Sequence, residues 1–212
     1  MGQALRSMKT MLAYSQTSNK QNAVASSGLR LGATSLRWYR LDDGVMGGQS
    51  ETRHRGAPGD GIVFAGTLDT RGGGFASIRA DFDGGLAGDA LRVKVRGDGR
   101  TYKVLLSTGA GGGPWSSTPS WQHDLPTTPG EERSVDLRFS AFVPSFGGAP
   151  SRSAAGHVLV PADMRQVGLM LSLYLSDGSP NPERTFGPAG TAFDFSLELL
   201  ALEAGECGAP RG

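Results

Sequence analysis

A stretch of strict two-residue alternation, residues 91–106, constrains the fold of this chain more than any other feature. Its apolar positions are Leu91, Val93, Val95, Tyr102, Val104 and Leu106. Neighbouring side chains of a β-strand point to opposite faces, so the pattern predicts two strands that each bury one face. A Gly-Asp-Gly turn at 97–99 separates the two runs, and they are therefore predicted to form a β-hairpin.

Shorter apolar runs elsewhere have the same character. Further strands are predicted at 61–68, 75–81, 135–139, 167–175 and 193–202, and one short helical turn at 161–165. Glycine accounts for 33 of the 212 residues, which is about twice its usual share and indicates many turns. Strands at turn-punctuated intervals predict an all-β sandwich or barrel.

Composition excludes several classes of function. The length of 212 residues suits one domain, and the net charge of +1 gives no reason to expect nucleic acid or an anionic membrane as a partner. The longest apolar run, 167–175, is far shorter than the roughly 20 residues of a membrane span. Cys207 has no second cysteine to pair with, so no intramolecular disulfide is expected.

The two ends of the chain differ from its centre. Residues 1–35 are Ser-rich and basic, and no acidic residue precedes Asp42. This composition is typical of an organelle transit segment, and equally of a disordered polar tail. We expect a disordered leader over 1–35, a folded domain over 36–203, and a flexible tail over 204–212.

Residues 42–50, which read Asp-Asp-Gly-Val-Met-Gly-Gly-Gln-Ser, are predicted to form a shaped loop. Asp and Ser side chains fix turns by bonding backbone groups, and glycine allows close approach of another chain. We expect an Asp to bind backbone N–H groups and Met46 to be presented for protein contact. A cation site remains a minor alternative, since such sites need six or more oxygens. The predicted partner-binding residues are Asp42, Asp43, Val45, Met46, Gly47, Gly48 and Ser50.

Signs of catalysis or metal binding are lacking in the sequence. The histidines His54, His123 and His157 are scattered and lie at no metal-ligand spacing from one another. No nucleophile elbow is present, and the glycine run at 109–113 is not followed by the Lys-Ser/Thr of a phosphate loop. We therefore expect no enzymatic activity, no metal and no cofactor.

A set of aromatic and polar residues suggests a ligand face. Its members are Arg79, Tyr102, Lys103, Trp121 and Gln122, accompanied by Trp115 and His123. Aromatic rings stack on sugars and the polar groups bond their hydroxyls, so these residues are candidates for glycan binding. The alternative is that the large aromatics, Trp38 included, anchor the core. A basic stripe formed by Arg92, Lys94, Arg96 and Arg100 is expected to be a solvated sheet face, or a docking patch for an acidic partner.

An ordered series of motifs also resembles a known family. The motifs are Trp38 with the segment 42–50, then 64–68, 73–79, 91–103, 135–139 with 142–144, 167–170, and 193–199. Together they resemble the complex I intermediate-associated protein 30 family over about residues 36–203, in the form found in bacteria and plastids. The resemblance implies a galactose-binding-like jelly-roll β-sandwich.

The resemblance further implies a non-catalytic assembly factor for a membrane redox complex, above all respiratory complex I. Its partners would be protein subunits of that complex, with the protein peripheral to the membrane at most. The alternative is a carbohydrate-binding module on the same fold. The expected location is the mitochondrion in a eukaryote, with the plastid second, and the cytoplasm in a bacterium.

Overall fold

The computed structural model describes residues 33, 35–59, 61–109, 118–146, 149–150, 156–182 and 190–208. The predicted leader lies outside these residues, apart from 33 and 35, and so does the end of the 204–212 tail. Trp115 and most of the glycine-rich loop at 109–113 are also outside them. The predictions made for these segments stay predictions.

The described residues form twelve strands. In chain order these are β1 (Trp38–Arg40), β2 (Glu51–Gly56), β3 (Ile62–Asp69), β4 (Phe75–Asp81), β5 (Ala90–Arg96), β6 (Thr101–Ser107), β7 (Ser120–Pro126), β8 (Glu132–Arg138), β9 (Val143–Phe146), β10 (Ala149–Pro150), β11 (Gln166–Ser172) and β12 (Ala192–Gly205). The five strands predicted outside the 91–106 stretch correspond to β3, β4, β8, β11 and β12.

Two antiparallel sheets make up the molecule. The seven-stranded sheet has the order β1-β4-β11-β6-β7-β9-β10, and the five-stranded sheet has the order β2-β3-β12-β5-β8. In the described part of the chain, helical structure is confined to 3-10 turns at Asp43–Met46, Phe139–Ala141 and Pro161–Asp163. No helix in that part is long and apolar enough to span a membrane. The prediction of an all-β sandwich is confirmed.

The predicted hairpin between the two halves of residues 91–106 is wrong. Strand β5 pairs with β12 and β8 in one sheet, whereas β6 pairs with β11 and β7 in the other. Alternation shows only that each strand buries one face, and two such strands can share a core by facing each other as well as by pairing edge to edge. The turn at 97–99 therefore carries the chain from one sheet to the other.

The hydrophobic core fills the space between the sheets. Phe64 and Phe195 of the five-stranded sheet, with ring centroids 4.9 Å apart, meet Tyr102 of the seven-stranded sheet at 6.1 and 6.4 Å. Ile78, Val104 and Leu169 extend this layer along β4, β6 and β11, and each large side chain buried in this way contributes about 1.5–3 kcal/mol. Residues of the opposite parity on these strands point away from the core.

Candidate functional site

The segment 42–50, which we call the corner loop, connects β1 of the seven-stranded sheet to β2 of the five-stranded sheet. Asp43 opens its 3-10 turn and is completely buried. The Asp43 carboxylate accepts hydrogen bonds from the Ser50 backbone N–H (3.0 Å) and hydroxyl (2.7 Å). It also accepts bonds from the backbone N–H groups of Gly74 (2.7 Å) and Phe75 (3.4 Å). The prediction that an Asp fixes this loop through backbone donors is confirmed.

Asp42 ties the same corner to both sheets. Its carboxylate accepts bonds from the Thr52 backbone N–H (3.0 Å) and hydroxyl in β2, and from the Ser77 backbone N–H (3.1 Å) in β4. The oxygens of both carboxylates thus accept hydrogen bonds from protein donors. We call this arrangement of Asp42 and Asp43 the clamp, because it holds the corner loop against both sheets. In the described residues, no group of three or more His, Cys, Asp or Glu side chains is placed to hold a metal ion.

Glycines around the Asp43 carboxylate are required by space and by backbone geometry. A Cβ at Gly48 would lie 2.2 Å from the Asp43 Cγ, and one at Gly73 would lie 2.2 Å from its Oδ2. Gly47 has a φ of +90°, which favours glycine. Gly44 differs, because nothing lies within 4 Å of where its Cβ would be. Three of these four glycines therefore serve the clamp itself.

Two apolar side chains of the corner loop remain exposed. Val45 is 63% exposed and Met46 is 59% exposed. The predicted partner-binding residues thus divide into two groups. Those that build the loop are Asp42, Asp43, Gly47, Gly48 and Ser50, and those that face solvent are Val45 and Met46. The loop presents an apolar pair on a backbone that hydrogen bonds hold in place.

The structure separates the five residues of the predicted ligand face. Tyr102 and Trp121 lie in the core between the sheets, whereas their chain neighbours Lys103 and Gln122 point the other way. Arg79 has the parity of Lys103 and Gln122 and lies on the same side of the sheet. Including the two aromatic residues was therefore an error, because adjacent residues of a strand cannot share a face.

Tyr102 is fully buried, and its hydroxyl donates a hydrogen bond to Asp98 Oδ2 (3.0 Å). Burial, with Asp98 nearby, raises its pKa well above the ordinary range. Trp121 is buried, and its indole N–H finds no acceptor in the described part of the chain. Trp38 is also a core residue, and its indole donates to the carbonyl of Ala33 (2.7 Å). The alternative prediction, that these aromatics anchor the core, is correct.

The face of the seven-stranded sheet that points away from the core is polar and yet buried. We call it the polar face, and its buried polar residues are Ser77, Arg79, Thr101, Lys103, Ser107, Gln122, Ser145 and Gln166. Lys103 Nζ donates to Gln122 Oε1 (2.8 Å), and burial lowers the Lys103 pKa to about 8. Aspartates 124 and 177 oppose that shift electrostatically. Lys103 is thus a buried cation whose charge is offset by a hydrogen-bond acceptor and by two nearby carboxylates.

Gln166 organises one end of the polar face. Its amide Nε2 donates to the Tyr39 hydroxyl (2.8 Å) and to Asp81 Oδ1 (2.9 Å), and its Oε1 accepts from the Ser107 hydroxyl (3.0 Å). Sequence reasoning did not identify these four residues. Parity could have found them, since they occupy the strand positions that alternate with core residues.

Arg79 stands apart from the other polar residues of this face. It is only 9% exposed, and no described residue accepts a hydrogen bond from its Nη1. Its side chain extends across β11 over Gly168, where a Cβ would lie 2.3 Å from Nη1. Burial lowers the pKa of Arg79 to about 10, so the guanidinium is charged at neutral pH.

The basic stripe on the five-stranded sheet is neutralised by carboxylates of the same chain. Its ion pairs are Arg92–Asp136 (2.7 Å), Lys94–Glu132 (2.6 Å), Arg96–Glu132 (3.1 Å), Arg96–Glu198 (2.7 Å) and Arg100–Asp98 (3.1 Å). The expected solvated face is therefore a network of paired charges. Docking of an acidic partner would have to break these pairs.

Solved structures similar to this one include carbohydrate-binding modules. One is a family 11 module from Clostridium thermocellum in complex with a β-1,3-1,4-mixed-linked tetrasaccharide. It is 10% identical, covers 86% of this chain and 98% of its own, and gives a TM-score of 0.54. Another, the family 11 module of a cellulosomal cellulase from the same organism, is 11% identical over 87% and 99%, with a TM-score of 0.52. These likenesses show the galactose-binding-like jelly-roll fold.

No curated protein sequence matches the chain. The family model for complex I intermediate-associated protein 30 matches residues 28–199. That span contains the corner loop, the polar face and every strand of both sheets up to the middle of β12. The chain belongs to the complex I intermediate-associated protein 30 family.

Proposed function

We propose that this protein is a non-catalytic assembly factor for a membrane redox complex, with respiratory complex I as its client. The family match over residues 28–199 carries the proposal. An assembly factor must hold a partner without transforming it, and a β-sandwich with a rigid, partly apolar corner suits that task. Protein subunits of the client are the proposed partners.

The corner loop is the proposed docking element. Val45 and Met46 are exposed, whereas the backbone that carries them is held by the buried Asp43. A preorganised loop loses little conformational entropy on binding, and methionine adapts its shape to an apolar partner. Gly44, with open space around its Cβ position, lets a partner backbone come close.

Capture from native membranes tests this proposal. Tagged wild-type protein should co-purify with complex I subunits and co-migrate with assembly intermediates on native gels. Met46→Glu should keep the folded domain but lose this capture, because it places a charge in an apolar contact. The matched control is Val158→Glu, which changes a side chain that is 78% exposed and lies outside the corner loop. Equal capture by wild type and Met46→Glu would remove the loop from the proposal.

Loss of the protein tests the client directly. Cells that lack it should accumulate complex I subassemblies and regain the mature complex when the wild-type chain is restored. Normal complex I in such cells would refute the assembly role, whatever the loop binds.

We also propose that residues 1–35 target the chain to an organelle if its source is eukaryotic. The absence of acidic residues before Asp42 supports this. A reporter fused to these residues should enter mitochondria, with plastids as the second destination. A reporter that stays in the cytoplasm would contradict the targeting.

The carbohydrate-binding alternative has less support. Of the aromatic residues on which it relied, Tyr102 and Trp121 lie in the core, and Trp115 lies outside the described residues. Described aromatic residues with the parity of the polar face include Tyr39, whose hydroxyl is bonded to Gln166, and the partly buried Phe75 at the start of β4. Likeness to carbohydrate-binding modules at 10–11% identity speaks for the fold alone.

A further inference from the structure

The polar face holds a charge that the described residues leave uncompensated. Lys103, the other buried cation there, donates to Gln122 and has the electrostatic support of aspartates 124 and 177. Arg79 has no such support: its Nη1 is buried and unpartnered, and the Tyr39 hydroxyl is the group that opposes its desolvation. Burying an unpaired cation destabilises a fold strongly.

Nearby carboxylates on the polar face are already engaged. Asp81, two residues along β4, accepts a bond from Gln166 (2.9 Å). Asp124, on β7, accepts bonds from the backbone N–H (2.9 Å) and hydroxyl (2.8 Å) of Ser176. Described ion pairs involve other arginines. The fold therefore offers donors at Arg79 without providing the acceptor.

The surroundings of Arg79 are built to place its guanidinium over the middle of the sheet. Gly168 on β11 lies opposite Arg79, and a side chain there would collide with Nη1 (2.3 Å) and Cδ (2.7 Å). The next residue in the same row is Leu105 on β6. The Arg79 guanidinium thus lies over the backbone of Gly168, which has no side chain, and beside the apolar Leu105. In these low-dielectric surroundings an ion pair between the guanidinium and an anion is strengthened.

We infer that Arg79 anchors a binding site on the polar face for a small molecule that carries an oxyanion, either a carboxylate or a phosphate group. Guanidinium donors match the geometry of both groups and supply the countercharge that a neutral sugar hydroxyl cannot. The site uses a different residue and a different chemistry from the exposed apolar pair of the corner loop, so this inference goes beyond the assembly role and does not depend on it.

Thermal unfolding of the full chain provides the test. Sodium phosphate and sodium succinate are each added at constant ionic strength against sodium chloride, and calorimetric titration gives the affinities. At least one oxyanion should raise the melting temperature of the wild type above the chloride value. A response to phosphate alone assigns a phosphate site, and a response to succinate alone assigns a carboxylate site.

Arg79→Met distinguishes a ligand site from a structural arginine. Because the variant removes an uncompensated buried charge, its ligand-free melting temperature should rise by about 2–4 °C. Its oxyanion affinity should fall about tenfold or more, since charge-assisted bonds are the strong ones. Arg79→Lys, which keeps the charge but not the paired donors, should fold and show intermediate affinity.

Two control variants complete the design. Ser145→Ala removes a buried hydroxyl that has no partner among the described residues, on the same face, four strands and about 19 Å away, and should leave oxyanion affinity unchanged. Arg92→Met breaks the ion pair with Asp136 on the other sheet, so it should lower the melting temperature without affecting the ligand response. The inference is overturned if neither oxyanion stabilises the wild type, if Arg79→Met responds as the wild type does, or if only a neutral mixed-linked tetrasaccharide binds.

Discussion

Asp43→Ala should destabilise the domain by about 3–5 kcal/mol. The Asp43 carboxylate is fully buried and has four donors. The Ser50 hydroxyl can turn to the carbonyl of Asp69, 3.4 Å away, and the bond from Phe75 is long. Two strong donors, the backbone N–H groups of Ser50 and Gly74, are then left unpaired, and each unsatisfied buried donor costs about 1–3 kcal/mol. The space vacated beneath the loop adds a further cost.

Urea denaturation followed by far-UV circular dichroism measures this loss. The midpoint should shift at unchanged slope, as expected for a change in stability without a change in the surface exposed. Asp42→Ala is the matched control: Asp42 is half-buried, so water can replace part of what Thr52 and Ser77 lose, and about 1 kcal/mol is expected. If Asp43→Ala costs less than Asp42→Ala, water already reaches the pocket under the loop and the clamp interpretation fails.

Three further predictions follow from local geometry and charge. Gly48→Ala should cost about 2–3 kcal/mol because its Cβ would collide with a buried carboxylate, whereas Gly44→Ala, with open space around it, should be nearly neutral in urea denaturation. The Lys103 pKa of about 8 lies below its ordinary 10.5, so the unfolded chain binds more protons between these values. Stability should therefore rise by about 2–3 kcal/mol from pH 8 to 10.5 in wild type but not in Lys103→Met. Arg92 lowers the pKa of Asp136 to about 2 from 3.8, so roughly 1 kcal/mol of stability should vanish as the pH falls through that range, and Asp136→Asn should lack this step.

Strands with one apolar face were predictable from the sequence, but the way they pair was not. The alternation in 91–106 correctly identified which side chains enter the core. Which strand lies beside which depends on contacts between distant segments, as when β12 inserts between β3 and β5. Strand β7 was not predicted because few of its residues are apolar.

The candidate sites show a similar division. The clamp made by Asp43 was predictable because Asp and Gly have strong local preferences. The polar face was not, because its burial arises from three-dimensional placement of residues that read as ordinary outward positions. Strand alternation alone would have corrected one part of the predicted ligand face. Tyr102 and Lys103 are adjacent in a strand, so their side chains cannot both line the same face.

The motifs that mark this family are mostly explained by the fold. Gly48 and Gly73 make room for the buried Asp43 carboxylate, and the paired aspartates join the two sheets. A motif explained in this way identifies an architecture and says little about what the molecule binds. Function must then be sought in features that the fold does not need. Val45 and Met46 are exposed, so they bury little apolar surface and add little to the stability of the fold. Arg79, buried without an acceptor among the described residues, lowers that stability. Residues that a fold tolerates at a cost are the ones whose substitution separates activity from stability, which makes Met46 and Arg79 the first two positions to change.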